Sequence, residues 1–217
     1  MTARHHPSVE TLLHYAAGTL AGGLRLVVSV HLATCPVCRA QLAKLEAIGG
    51  IMLDETAPAQ MEPDAFARVM ARIDAAPVAQ AVTAPHIARH LTEKLIAPAA
   101  LQHRNIGPWR WLGPGRRWSR VRLDEDPETL VVLLRVAGGR RLPKHGHQGI
   151  ELTHVLYGSF SDETGRYVTG DLYETDDDIH HRPVADPGSE CVCLVALEAS
   201  IRLEEGLGRL LQRIIGF

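Results

Sequence analysis

Apolar residues recur at helical spacing through the first third of the chain and at strand-like spacing through most of the second half. Ser8 suits the N-cap of a helix through Leu12, Leu13, Tyr15 and Ala16, which Gly18 ends. After Gly22-Gly23, residues 24–32 predict a second and more apolar helix. Cys35 caps and Pro36 opens a third, with Leu42, Leu45 and Ile48 on one face and Gly49-Gly50 as its stop. A fourth covers 63–73, where Phe66, Val69, Met70 and Ile73 share a stripe. From Trp109 onward the pattern predicts strands over 109–112, 118–123, 129–136, 151–157 and 191–197, parted by Gly, Pro and Asp turns.

The expected fold is therefore α+β in two domains. A small helical bundle takes residues 1–75. An antiparallel β-barrel or sandwich takes 108–200, and a C-terminal helix within 201–217, centred on 207–215, packs on it. Between the two, residues 76–107 are rich in Ala, Pro and His and read as a linker with one short helix over 86–95. A length of 217 residues lets each unit bury a modest core.

Composition narrows the function classes. The chain is 46% apolar with a formal net charge of -2. No run approaches the roughly 20 apolar residues that span a bilayer. The first residues lack the apolar core of a signal peptide, so a cytoplasmic protein is expected. Residues 76–122 are basic, with Glu93 the single acid, but no helix-turn-helix or Arg-aromatic pattern accompanies them, and direct nucleic-acid binding is not expected. The cysteines form two close pairs, Cys35/Cys38 and Cys191/Cys193, which in the cytosol suggest metal binding or free thiols before disulfides. Cys191 and Cys193 alternate on a strand and so share a face; buried packing is the default there, and a thiol pair beside a metal the sharper alternative.

Two clusters carry candidate chemistry. His31-x3-Cys35-x2-Cys38 sets an imidazole at the end of one helix and two thiols at the start of the next, a corner that Zn²⁺ could clamp. The fourth ligand would come from His5, His6 or His14, with His6 favoured because it sits just before the first helix. Farther on, His145 and His147 lie two apart on one strand face, and Glu151 joins them if the Gly149 turn keeps phase. Imidazoles with one carboxylate fit Zn, Fe(II), Mn or Ni. A fourth ligand is expected from His180-His181, and His181 is preferred. His154 reads as outward-facing or supporting rather than as a ligand.

Residues 5–75 resemble the zinc-binding anti-sigma domain, with His6, His31, Cys35 and Cys38 in its order. Residues 108–200 resemble a cupin, matching its first motif at Gly139, His145, His147, Glu151 and Gly158. The second cupin motif is matched only at Gly170 and His181, with Asp178 where Gly is usual. The order of the two halves, the opening T-x-R-H-H, the A-A-G-T-L at 16–20 and the H-G-H-x-G-x-E-L-T core are similar to the ChrR family of anti-sigma factors. That resemblance implies a one-to-one complex between the zinc-braced bundle and an extracytoplasmic-function sigma factor, with a cupin domain needed for the response to singlet oxygen or organic peroxide. Leu24, Leu26, Val27 and Val28, with Phe66, Val69, Met70 and Ile73, would form the partner-facing surface. The rival reading is a metal-dependent cupin dioxygenase or isomerase carrying a zinc interaction domain, although no further acid/base pair accompanies the motif.

Overall fold

The computed structural model describes residues 3–75, 90–127, 129–198 and 201–203, without the side chains of 147 and 201–203. α1 (Val9–Ala16) begins at Ser8, whose hydroxyl accepts from the Thr11 N–H at 3.0 Å. α2 (Gly22–Thr34) and α3 (Pro36–Asp54) meet at a 117° bend. Cys35 ends one and caps the other, its sulfur accepting from the Cys38 N–H. Gly49-Gly50 do not stop α3, which runs on to Asp54. A helical glycine costs only about 1 kcal/mol, and the flanking Ala, Leu and Ile residues carry the helix through. α4 (Ala65–Ala75) buries none of its side chains.

Part of the expected linker is packed structure. β1 (His90–Thr92) and β2 (Leu95–Ile96) form a hairpin where the pattern predicted a helix, and α5 (Ala99–Gln102) follows. Leu91, Ala97 and Leu101 are buried, and Pro98 is the N-cap of α5. The Ala and Pro content that suggested a linker thus supplies a close-packed small residue and a helix start. Residues 76–89 lie outside the described residues.

The remaining strands are β3 (Asn105–Ile106), β4 (Arg110–Gly113), β5 (Arg116–Arg122), β6 (Leu130–Val136), β7 (His145–His147), β8 (Glu151–Tyr157), β9 (Ser159–Ser161), β10 (Arg166–Val168), β11 (Leu172–Thr175), β12 (Val184–Ala185), β13 (Cys191–Leu197) and β14 (Ile201–Leu203). A large antiparallel sheet runs β11-β8-β13-β6-β5-β3, with β4 also on β5. A smaller sheet, β10-β9-β12, and the pair β14-β7 complete a cupin-like sandwich. Residues 201–203, expected in a terminal helix, are instead the strand paired with β7. The helix expected over 207–215 lies outside the described residues.

The large sheet is covered on both faces. On β13, Cys191, Cys193, Val195 and Leu197 face the inner core, whereas Val192, Leu194 and Ala196 face the helices. Both sides of this strand are buried, which explains its uninterrupted apolar run.

The outer cover is α2. Leu24, Leu26, Val27 and Val28 are at most 4% exposed and share one core with Val131, Leu152 and Leu194. The sequence placed these four on a partner-facing surface; here they are interior, as befits a helix apolar over most of its circumference. The fit at the N-terminus of α2 is close. A Cβ on Gly23 would sit 2.2 Å from Thr129 Cγ2. Ala21 offers no side-chain cap, and Asp126, from the β5–β6 loop, packs against the first turn of α2, where a Cβ on Gly22 would sit 2.7 Å from its Cβ. A hydrogen bond from the Thr129 hydroxyl is the chief cause that holds the Asp126 carboxyl below its ordinary 3.8.

Candidate metal centres

At the α2–α3 corner, ligand atoms of His6, His31, Cys35 and Cys38 all lie within 4.8 Å of one another. His6 Nδ1 is 3.4 Å from Cys35 Sγ and 3.3 Å from Cys38 Sγ, and His31 Nε2 is 3.3 Å from Cys38 Sγ. His31 Nδ1 donates to the Gly170 carbonyl at 3.1 Å, which leaves Nε2 as the ligand atom. Burial, with the neighbouring His6, lowers His31 to a pKa of about 4, so the ring is neutral and competent to bind metal at physiological pH. Burial also pushes the Cys38 thiol up to about 12, aided by Cys35. Two buried thiols, one buried imidazole and the half-buried His6 make a donor set that a cation such as Zn²⁺ fits. The other candidates are engaged elsewhere: His5 Nδ1 pairs with Asp171 at 3.1 Å, and His14 with Thr19 at 2.9 Å.

Inside the barrel, His145, Glu151 and His181 line one cavity. His145 Nδ1 donates to the Pro143 carbonyl at 2.8 Å, and His181 Nδ1 donates to the Asp162 carboxylate at 2.9 Å. Both Nε2 atoms therefore present lone pairs, and they meet 3.2 Å apart. Such an approach repels unless a cation or a shared proton lies between, so the residues present fit a metal. Burial alone would raise Asp162, but hydrogen bonds from His181 and Thr164 bring it down to about 2. Glu151 is buried and accepts from the Thr153 hydroxyl at 2.8 Å. The backbone of His147 lies in β7, opposite Ile201; its side chain lies outside the described residues. His180 is exposed, whereas His181 is buried in the cavity. Cys191 and Cys193 line the same cavity as free thiols, their sulfurs hydrogen-bonded at 3.6 Å.

The two centres lie on opposite faces of β8. Glu151, Thr153 and Val155 face the barrel interior, whereas His154 faces α2, its ring 5.4 Å from that of His31 and edge-on to it. Burial lowers His154 to about 4, and His31 adds to the effect. β11 ties both centres together. Thr175 pairs with Glu151 at one end of this strand. At the other end, Asp171 accepts from the Arg4 and His5 N–H groups at 2.6 and 3.2 Å. Within β11, Glu174 accepts from Ser8 N and from the hydroxyls of Ser8 and Thr11.

Comparison with known proteins decides the family. The model of the ChrR cupin-like domain matches residues 98–201, a span that takes in α5 and β3. The whole chain is 40% identical over 215 residues to the anti-sigma-E factor ChrR of Cereibacter sphaeroides, covering 98% of each protein. The chain belongs to the ChrR family of anti-sigma factors. ChrR in the crystal structure of Rhodobacter sphaeroides SigE in complex with the anti-sigma ChrR superposes with a TM-score of 0.74, over 90% of this chain and 99% of that one. The ChrR family is thus regulatory rather than catalytic. Among the described residues, no single helix is long and apolar enough to cross a membrane.

The sequence reading missed the supports of these centres. Asp162 orients His181 from a turn that no ligand motif includes. The Gly170 carbonyl orients His31 from 139 residues away. Gly170, read in the sequence only as part of the second cupin motif, adopts φ +97° there, as a tight turn requires.

Proposed function

We propose that this chain is a cytoplasmic anti-sigma factor. It holds an extracytoplasmic-function sigma factor in a one-to-one complex and releases it on an oxidative signal, singlet oxygen or an organic peroxide. The observation that carries this reading is the end-to-end 40% identity with the anti-sigma-E factor ChrR, supported by the likeness to ChrR in its crystal complex with SigE. Its contact surface is the apolar stripe of α4, where Phe66, Val69, Met70 and Ile73 are 41–73% exposed. The outer side of α3, at Ile48, Ile51, Met52 and Leu53, extends it. Exposed apolar stripes on helices are a common means of engaging a partner.

In this reading His6, His31, Cys35 and Cys38 hold Zn²⁺ and His145, His147, Glu151 and His181 hold a second ion, Zn²⁺ or Fe, Mn or Ni. The first supplies a structural cross-link, the second open positions for an oxidant. The signal need not cross residues 76–89. A change at Glu151 reaches Thr175, its partner on β11, and that strand, with Asp171 just before it, holds Arg4, His5, Ser8 and Thr11 around His6. Such a switch requires that the oxidised barrel favour a different seating of β11, because a signal shifts an equilibrium only through differential stability.

The test is co-expression of the full chain with an extracytoplasmic-function sigma factor from the same genome. A one-to-one complex is expected on size exclusion, and alanine at Phe66 and Ile73 together should weaken it at least tenfold. Failure of the wild-type proteins to co-purify would overturn the assignment.

A further inference from the structure

Along the inner face of the large sheet the barrel encloses a cavity of about 190 Å³. Its walls are mostly hydrocarbon, from residues such as Leu112, Trp118, Val132, Leu134 and Val195. The two ends are polar. At one stand His145, Glu151 and His181; at the other stands Arg116. Strand register separates them: Leu197 lies opposite Glu151, whereas Cys191 lies opposite Val136, which in turn faces Arg116. Between those two rows β13 advances roughly 20 Å.

Arg116 Nε is buried and has no hydrogen-bond partner among the described residues. The backbone leaves space for this guanidinium. Gly113 has φ +139°, and a Cβ there would come within 2.9 Å of Arg116 Nη1. A cationic donor held without an acceptor at the end of an apolar channel is matched by an anionic group with a hydrocarbon body, since an arginine fork pairs naturally with a carboxylate.

We propose that the barrel binds an amphipathic monocarboxylate, an aliphatic acid of medium chain length. Its carboxylate pairs with Arg116 and its hydrocarbon lies along the cavity toward His145, Glu151 and His181. The inference concerns the barrel alone, and holds or fails independently of any sigma factor.

Calorimetric titration of decanoate into the full-length protein, both as purified and after chelation, tests it. One decanoate per chain is expected, with a Kd on the order of micromolar in both preparations, and no saturable heat with acetate. Arg116→Gln should weaken decanoate at least tenfold while leaving decanol unchanged, and Leu134→Trp, which fills the cavity, should abolish both. Absence of saturable decanoate binding to the wild type would overturn the proposal. So would loss of binding on chelation, or an Arg116→Gln variant that binds decanoate as the wild type does, since either moves the carboxylate to the metal end. If Arg116→Gln does not fold, the wild type decides: decanol binding as tightly as decanoate overturns the role of Arg116.

Discussion

Which nitrogen of each imidazole carries the proton decides what these histidines can do. His31, His145 and His181 each spend Nδ1–H on a fixed acceptor, the Gly170 carbonyl, the Pro143 carbonyl and the Asp162 carboxylate, and so turn Nε2 toward the other donors. Asp162→Asn should therefore cut the barrel's affinity for its ion about 10- to 100-fold, as loss of an orienting partner typically does. Elemental analysis after dialysis against a mild chelator should find that ion depleted and the corner ion retained. Cys35→Ser should give the reverse pattern. His31, Cys35 and Cys38 were legible in the sequence because adjacent helix ends put that spacing at one corner. Asp162 was not, because a β-turn can deliver a carboxylate to a distant histidine at no fixed spacing. Glu151 was legible by its motif alone, since its side of β8 depends on the Gly149 turn, where φ is +76°.

At the scale of elements, α2 and β11 determine how the two halves meet. α2 was legible as a helix but not in its orientation, since an apolar stripe looks the same whether it waits for a partner or already lies on a sheet. The glycines that open it held the clue: a Cβ at Gly23 would strike both Thr129 and Val131. Gly23→Ala should destabilise the docked arrangement by about 1–3 kcal/mol, the usual cost of overpacking, read as a lower urea midpoint. The β11 clamp should depend on acidity. Burial would raise the Asp171 carboxyl, but hydrogen bonds from Val168, Arg4 and His5 hold it below its ordinary 3.8. A depressed carboxylate stabilises the fold in full above its unfolded value and loses that contribution as pH falls through the folded one. Protection of the 3–8 amides from hydrogen exchange should thus be constant near neutrality and fall below pH 3.8, and Asp171→Asn should weaken it at neutral pH and flatten the profile.

For the whole molecule, the presence of two unlike ligand sets, one of thiols with imidazole and one of imidazole with carboxylate, was legible in the sequence. Their physical continuity was not. Residues 1–75 read as a unit in the sequence, yet Leu24, Val27 and Val28 complete a core whose other side is the cupin sheet. Expressed alone, that segment should expose them and bind a hydrophobic dye that the full chain does not. In the proposed function, that continuity would give a signal a short path, from Glu151 through β11 to the segment that carries His6. The most direct test compares the full-length complex with its sigma factor for the wild type and for His145→Ala, before and after exposure to singlet oxygen or an organic peroxide. Equal binding by both beforehand, with release of the sigma factor only from the wild type afterwards, is the predicted result. Release from His145→Ala at the wild-type level, or loss of its binding before any oxidant is added, would contradict a sensing barrel that controls a separate holding surface.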